Sequence, residues 1–118
     1  MTPQEVFDKA YKSVIEQGEP AYTESNGCRY RTANTEGKEL KCALGFFIDD
    51  EIAWIADEHA WLTSEVIKKA NLEEHDKLLL SIQIAHDSSA VEEDFLESFK
   101  NRMSNVAKHY KLEVSALV

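Results

Sequence analysis

The sequence predicts a mainly α (α+β) fold: a small helical domain of four to five helices with one β-hairpin inserted after the first. Three observations carry this. A capped, proline-started helical pattern opens the chain at Thr2-Pro3-Gln4-Glu5. Two short extended stretches flank the turn-forming Asn34-Thr35-Glu36-Gly37. The rest reads as ordinary amphipathic helix, with apolar residues recurring at three- and four-residue intervals.

The first helix is placed at residues 3 to 17. Thr2 is its N-cap, Pro3 its first helical residue and Glu5 closes a capping box. Val6, Phe7, Ala10, Tyr11, Val14 and Ile15 share one face, and Gly18 and Pro20 end the helix. Residues 18 to 27 form a loop. Cys28 to Thr32 and Lys38 to Cys42 are the hairpin strands. With the turn centred on Thr35, Cys28 faces Cys42, a pairing that one residue of register shift would break. Ala43 to Ile48 gives about one helical turn. Asp49-Asp50-Glu51 then suits a helix N-terminus, where carboxylates meet the positive end of the macrodipole.

The helix that follows carries Ile52, Ile55, Ala56, His59 and Trp61-Leu62. Thr63 or Ser64 caps a short segment with Val66, Ile67 and Ala70. Asn71 with Glu74 reads as the cap of a helix running to about His86, striped by Leu72, Leu78, Leu79, Ile82 and Ala85. Ser89-Ala90-Val91-Glu92 is a capping-box pattern. It opens a last helix bearing Val91, Phe95, Leu96, Phe99, Met103, Val106, Ala107 and Tyr110. Leu112, Val114, Leu117 and Val118 form a short tail that can dock on the core.

A chain of 118 residues is expected to be a single compact domain, 1–118, able to bury a core without disulfides or metal. Two cysteines are too few for a disulfide scaffold. No apolar run approaches the roughly 20 residues of a membrane span, and the N-terminus lacks a signal-peptide pattern. A reducing cytoplasm is therefore the expected compartment. Asp and Glu number 22 against 13 Lys and Arg, a formal charge of −9. Such a chain repels nucleic acid, whose binding depends on neutralising phosphates, and is drawn to basic surfaces. Solubility alone also explains an acidic surface.

Few residues suggest chemistry. Cys28 and Cys42, facing across a hairpin, are possible zinc ligands, but neither sits in a Cys-x-x-Cys pair and the four histidines show no ligand spacing. No metal and no cofactor is therefore expected, and two buried free thiols are the plainer reading. Arg29 and Arg31, two apart on a strand, point to one face and can grip a phosphate or carboxylate. In so acidic a chain an internal partner such as Asp50, Glu51 or Glu58 competes for them. Gln83, His86 and Asp87 share a helical face. A lone His-Asp pair is equally the end of a helix and the start of a turn. Glu73, Glu74 and Asp76, then Glu92, Glu93, Asp94 and Glu97, form two acidic groups near helix starts, where they compensate macrodipoles or make a negative interaction face. There is no glycine-rich phosphate loop and no nucleophile motif.

The order Cys28, Tyr30, Arg31; Lys41, Cys42, Ala43, Gly45; Phe47-Ile48; Asp50-Glu51; Glu58; Gln83, His86, Asp87; Ala107, Tyr110, Leu112 resembles a set of small uncharacterised proteins of bacteriophage and bacterial genomes. It covers nearly the whole domain. That family usually has Pro where Asp49 stands, Tyr near Trp54 and a shorter hairpin turn. The resemblance implies a phage or bacterial cytoplasm, and a meeting in space of Arg31, Glu51, Glu58, His86 and Asp87 as one polar cluster. It supplies no activity.

The resulting expectation is a non-enzymatic acidic accessory protein, phage-encoded, that binds and modulates or inhibits a basic host protein, one that handles nucleic acid or serves in defence. Trp54 or Trp61 are possible anchors, and a homodimer is possible. The alternative is a small-molecule or nucleotide-binding domain, or a small enzyme, built on Arg29 or Arg31 with His86 and Asp87 or Glu58.

Overall fold

The computed structural model describes residues 1–23 and 27–114. Five α-helices and two small antiparallel hairpins make up the described chain, so the fold is mainly α with a minor β component. The first helix, α1 (Pro3–Gln17), forms as the sequence predicts. The Thr2 hydroxyl accepts from the Glu5 N–H, and the Glu5 carboxylate accepts from the Thr2 N–H. Gly18, at φ 81°, closes the other end by donating its N–H to Val14, a left-handed conformation that glycine adopts without steric cost.

Two hairpins, not one, follow. The first pairs β1 (Tyr22–Thr23) with β2 (Gly27–Cys28), the second β3 (Arg31–Ala33) with β4 (Glu39–Lys41). In the second, Arg31 faces Lys41 and Thr32 faces Leu40. The turn thus centres on residue 36, one position beyond the expected centre. Asn34 sets this register: its side-chain oxygen accepts from both Glu36 and Lys38 N–H at 3.0 Å, and its own N–H donates to Lys38 O. Cys28 therefore faces Tyr22 rather than Cys42, and both thiols are free.

One 3₁₀ turn (Leu44–Phe47) leads to α2 (Asp50–His59), capped by Asp49, whose carboxylate accepts from Ile52 N–H at 2.8 Å. This helix stops at His59, short of Trp61-Leu62, because Ala60 turns left-handed. In α3 (Thr63–Lys69) the cap position falls on Leu62, so neither Thr63 nor Ser64 caps. Asn71, at φ 58°, ends that helix instead of starting the next. A 3₁₀ turn (Glu73–His75) precedes α4 (Asp76–Ala90), which continues a full turn beyond His86. Ser89 is consequently buried inside α4 rather than capping α5 (Phe95–Tyr110); Asp94 caps α5 by accepting from Glu97 N–H. Val91 is exposed and off the α5 stripe. Leu112 and Val114 of the tail pack against the core, whereas Leu117 and Val118 lie outside the described residues.

Helix α4 is the axis of the molecule, packed against α1, α3 and α5. It buries Leu78, Leu79, Ile82, Ala85 and, unusually, the polar Gln83, His86 and Ser89. A run of ring contacts crosses the core from α1 through α5 to α4. Phe7 meets Tyr11 edge-on, Tyr11 meets Phe99, Phe99 stacks on Phe95, and Phe95 meets the His86 ring, with centroids 5.6–5.8 Å apart. No helix among the described residues is long and apolar enough to cross a membrane.

Candidate functional site

The polar residues gather where the hairpins, the 44–47 turn and α4 meet. They divide into two groups. The first is a clasp around Arg31, whose guanidinium donates to Asp50 at 3.1 Å and to the carbonyls of Tyr30, Gly45 and Ile48 at 2.8–3.1 Å. Only its Asp50 partner faces solvent. Gly45 makes the approach possible: a Cβ there would lie 2.8 Å from the Tyr30 carbonyl and 2.9 Å from the guanidinium. Asp57 completes the clasp by accepting the Tyr30 and Arg31 N–H groups, one on each carboxylate oxygen, at 2.8 and 3.0 Å.

The second group lies on α4. The His86 ring is fully buried. Its Nε2 accepts the Ala21 N–H at 3.3 Å, which leaves Nδ1 to carry a proton toward Asp87 Oδ1 at 2.9 Å. Gln83 donates to the same carboxylate oxygen at 2.9 Å and accepts the Leu44 N–H at 2.8 Å. Cys28, on β2, lies against the Asp87 carbonyl at 4.0 Å. Cys42 is completely buried, its sulfur accepting the Gly45 N–H at 3.3 Å. Burial and the neighbouring Asp87 push the Cys28 thiol up to about 12; burial does the same to Cys42. Tyr30 also rises to about 12 through burial, with Thr63 beside it pulling the other way.

The sequence-predicted residues are thus only partly assembled. Gln83, His86 and Asp87 come together, as do Arg31 and Asp50. The five-residue cluster implied by the resemblance does not form: Glu51 and Glu58 are exposed, without a hydrogen bond or ion pair among the described residues, and Arg31 is tied to Asp50. Arg29 does not share the fate of Arg31. It lines an open depression of about 290 Å³ with Cys28, Tyr30, Asp57 and Trp61. Asp57 and the approach of Cys28 to Asp87 escaped sequence reasoning. Asp57 sits 26 residues from the backbone it binds, and no local pattern signals that contact.

The acidic groups lie at the two ends of α4. Glu73, Glu74 and Asp76 are exposed at its start, with Lys68 and Lys77 lining a depression beside Glu73 and Asp76. Glu92, Glu93, Asp94 and Glu97 are exposed past its end and line an open depression of about 510 Å³, in which Arg102 is the one cation and pairs with Glu92 at 3.5 Å. Between them α4 exposes Leu80, Ile84 and, at its end, Val91, at 40%, 55% and 68%. Trp54 is also exposed, on α2, whereas Trp61 is partly buried against the core. Comparison with protein-family models, with curated proteins and with solved structures finds no match to this chain.

Proposed function

We propose that this chain is a non-enzymatic binding protein whose α4–α5 face docks on a basic protein surface with an apolar centre. The observation that carries this reading is the arrangement along α4: Leu80, Ile84 and Val91 stand exposed at spacings of four and seven, between acidic groups at either end. Apolar contacts supply affinity there, and the acidic flanks supply orientation and rate. The 92–97 end carries more of the electrostatics, because Lys68 and Lys77 dilute the other end. Two copies of the same acidic face repel, which favours a foreign basic partner over a homodimer. The likeness of the sequence to phage and bacterial proteins supports a target inside a bacterial host, such as a nucleic-acid-handling or defence protein whose basic surface would be blocked.

The small-molecule reading is the weaker one, since the Arg31 guanidinium is committed to internal carbonyls and His86 is sealed in the core. The test is capture of partners from bacterial lysate, followed by affinity measurements on the purified pair. Affinity should fall steeply with added salt, and E93K/E97K and Ile84→Asp should each weaken it about tenfold or more. Glu58→Lys, an exposed acid away from this face, should leave it unchanged. An affinity indifferent to salt and to E93K/E97K refutes the proposal.

A further inference from the structure

Cys28 reaches the end of α4 from a strand almost sixty residues earlier in the chain, in which respect it differs from any local acid pair. Its sulfur, one His86 ring nitrogen and an Asp87 carboxylate oxygen all lie within 4.8 Å of one another. We infer that Cys28, His86 and Asp87 form a binding site for a thiophilic divalent cation of the zinc class, leaving the fourth position to water or an incoming ligand. This goes beyond the docking reading and does not depend on it.

The chemistry fits in three respects. Sulfur, imidazole nitrogen and carboxylate oxygen are the donors zinc prefers, and three protein donors plus one open position is the arrangement of reactive rather than purely structural sites. Zinc bonds of about 2.0–2.3 Å place neighbouring donors of a tetrahedron about 3.3–3.7 Å apart. The observed His86–Asp87 separation of 2.9 Å and the 4.8 Å limit bracket that range, so shifts of about an ångström close the site. Thiolate and carboxylate together neutralise a dication.

Outer contacts also suit the role. Gln83 holds the Asp87 carboxylate from the side and is itself held by the Leu44 N–H, the kind of support that fixes ligand orientation. Entry is from the Asp87 and Cys28 side only, for the Asp87 side chain is 41% exposed and Cys28 lines the 290 Å³ depression beside Arg29, Tyr30 and Trp61, while the His86 ring stays buried behind them. An anionic fourth ligand would find the Arg29 guanidinium there.

The proton balance follows from the tautomer. On loading, the Cys28 thiol gives its proton to solvent as the sulfur–metal bond forms. The proton now between His86 Nδ1 and Asp87 must leave that position and is carried on Nε2 instead. The long 3.3 Å bond from the Ala21 N–H is then given up. One proton is released per cation, and occupancy is coupled to the seat of the first hairpin.

The test is titration of the full-length chain with cobalt(II), then zinc(II), under a non-chelating reductant. One equivalent should bind, with a thiolate-to-cobalt charge-transfer band that zinc abolishes, release of about one proton and a shift of the Ala21 amide resonance. Cys28→Ser should remove the band and weaken zinc binding at least about tenfold. Asp87→Asn should weaken it comparably while keeping the band, and Cys42→Ala should keep both. Far-UV circular dichroism establishes that each variant is folded. The absence of saturable binding by the unaltered chain overturns the inference. So does a band that survives Cys28→Ser, or zinc affinity unmoved by Asp87→Asn.

Discussion

Gly45 and Asp57 show how single residues hold the hairpin on the helices. A methyl group at Gly45 would press on a backbone carbonyl, which cannot rotate away as a side chain can. Gly45→Ala is expected to cost about 1–3 kcal/mol in urea unfolding, with no left-handed backbone involved. Asp57→Ala strips two half-buried N–H groups of their acceptor and should cost about 2 kcal/mol, with Asp57→Asn falling between. A stability unchanged in Asp57→Ala would mean water satisfies both groups. Composition at this scale was a partial guide to the site. Gln83, His86 and Asp87 announced themselves through helical spacing, and Arg31 with Asp50 through charge. Glu51 and Glu58 were equally suggestive in sequence, yet their helix turns them to solvent. Nothing short of tertiary structure separates an acid at one helical position from its neighbour when both flank the same apolar stripe.

At the level of elements, caps were the most legible feature where chemistry was unambiguous. Thr2-Pro3-Gln4-Glu5 and Gly18 defined α1 to the residue. Ser89-x-x-Glu92 had an equally good pattern and failed, because the buried Ala85, His86, Ser89 and Ala90 continue the packed face of α4 and core burial outweighs a cap of about 1 kcal/mol. The real cap of α5, Asp94, gives a direct check. Asp94→Ala should destabilise the fold by about 1 kcal/mol and Asp94→Asn by much less, measured by thermal unfolding. Ser89→Ala, which removes only the contact with the Ser98 hydroxyl, should leave the helix boundary where it is. The first hairpin was invisible in sequence, since strands of two residues carry no period-2 signal. The register of the second depended on Asn34 bonding two amides, a side-chain choice that strand propensities do not encode.

For the molecule as a whole, the buried thiols and phenol set its response to alkali. Cys28 and Cys42 ordinarily ionise near 9.0 and Tyr30 near 10.0, and in the fold all three rise to about 12. The folded state therefore keeps these protons longer than the unfolded chain. Their contribution to stability is intact below about pH 9 and is lost as pH climbs through 9 to 12. Unfolding free energies measured across that window should decline, and Cys42→Ala should flatten part of the decline; a flat profile in the unaltered chain would contradict the burial of these groups. The same raised values predict that Cys28, although partly exposed, reacts slowly with iodoacetamide at neutral pH, because the thiolate is the nucleophile. Overall charge, helical class and the acidic ends of α4 could all be anticipated from composition and patterning. The joining of hairpin, turn and α4 could not, since it rests on contacts between residues from 39 to 65 positions apart.

That joining has a dynamic consequence. Ala21 belongs to no helix or strand, yet its amide ends on a histidine sealed in the core. Loop amides ordinarily trade their hydrogen for deuterium through small, frequent openings. Without a bound cation, Ala21 has no such opening of its own: its hydrogen is released only when α4 parts from the hairpin. In native-state exchange it should therefore behave as one of the slowest amides of the chain, protected alongside the centre of α4, while its neighbours Glu19 and Tyr22 exchange far sooner.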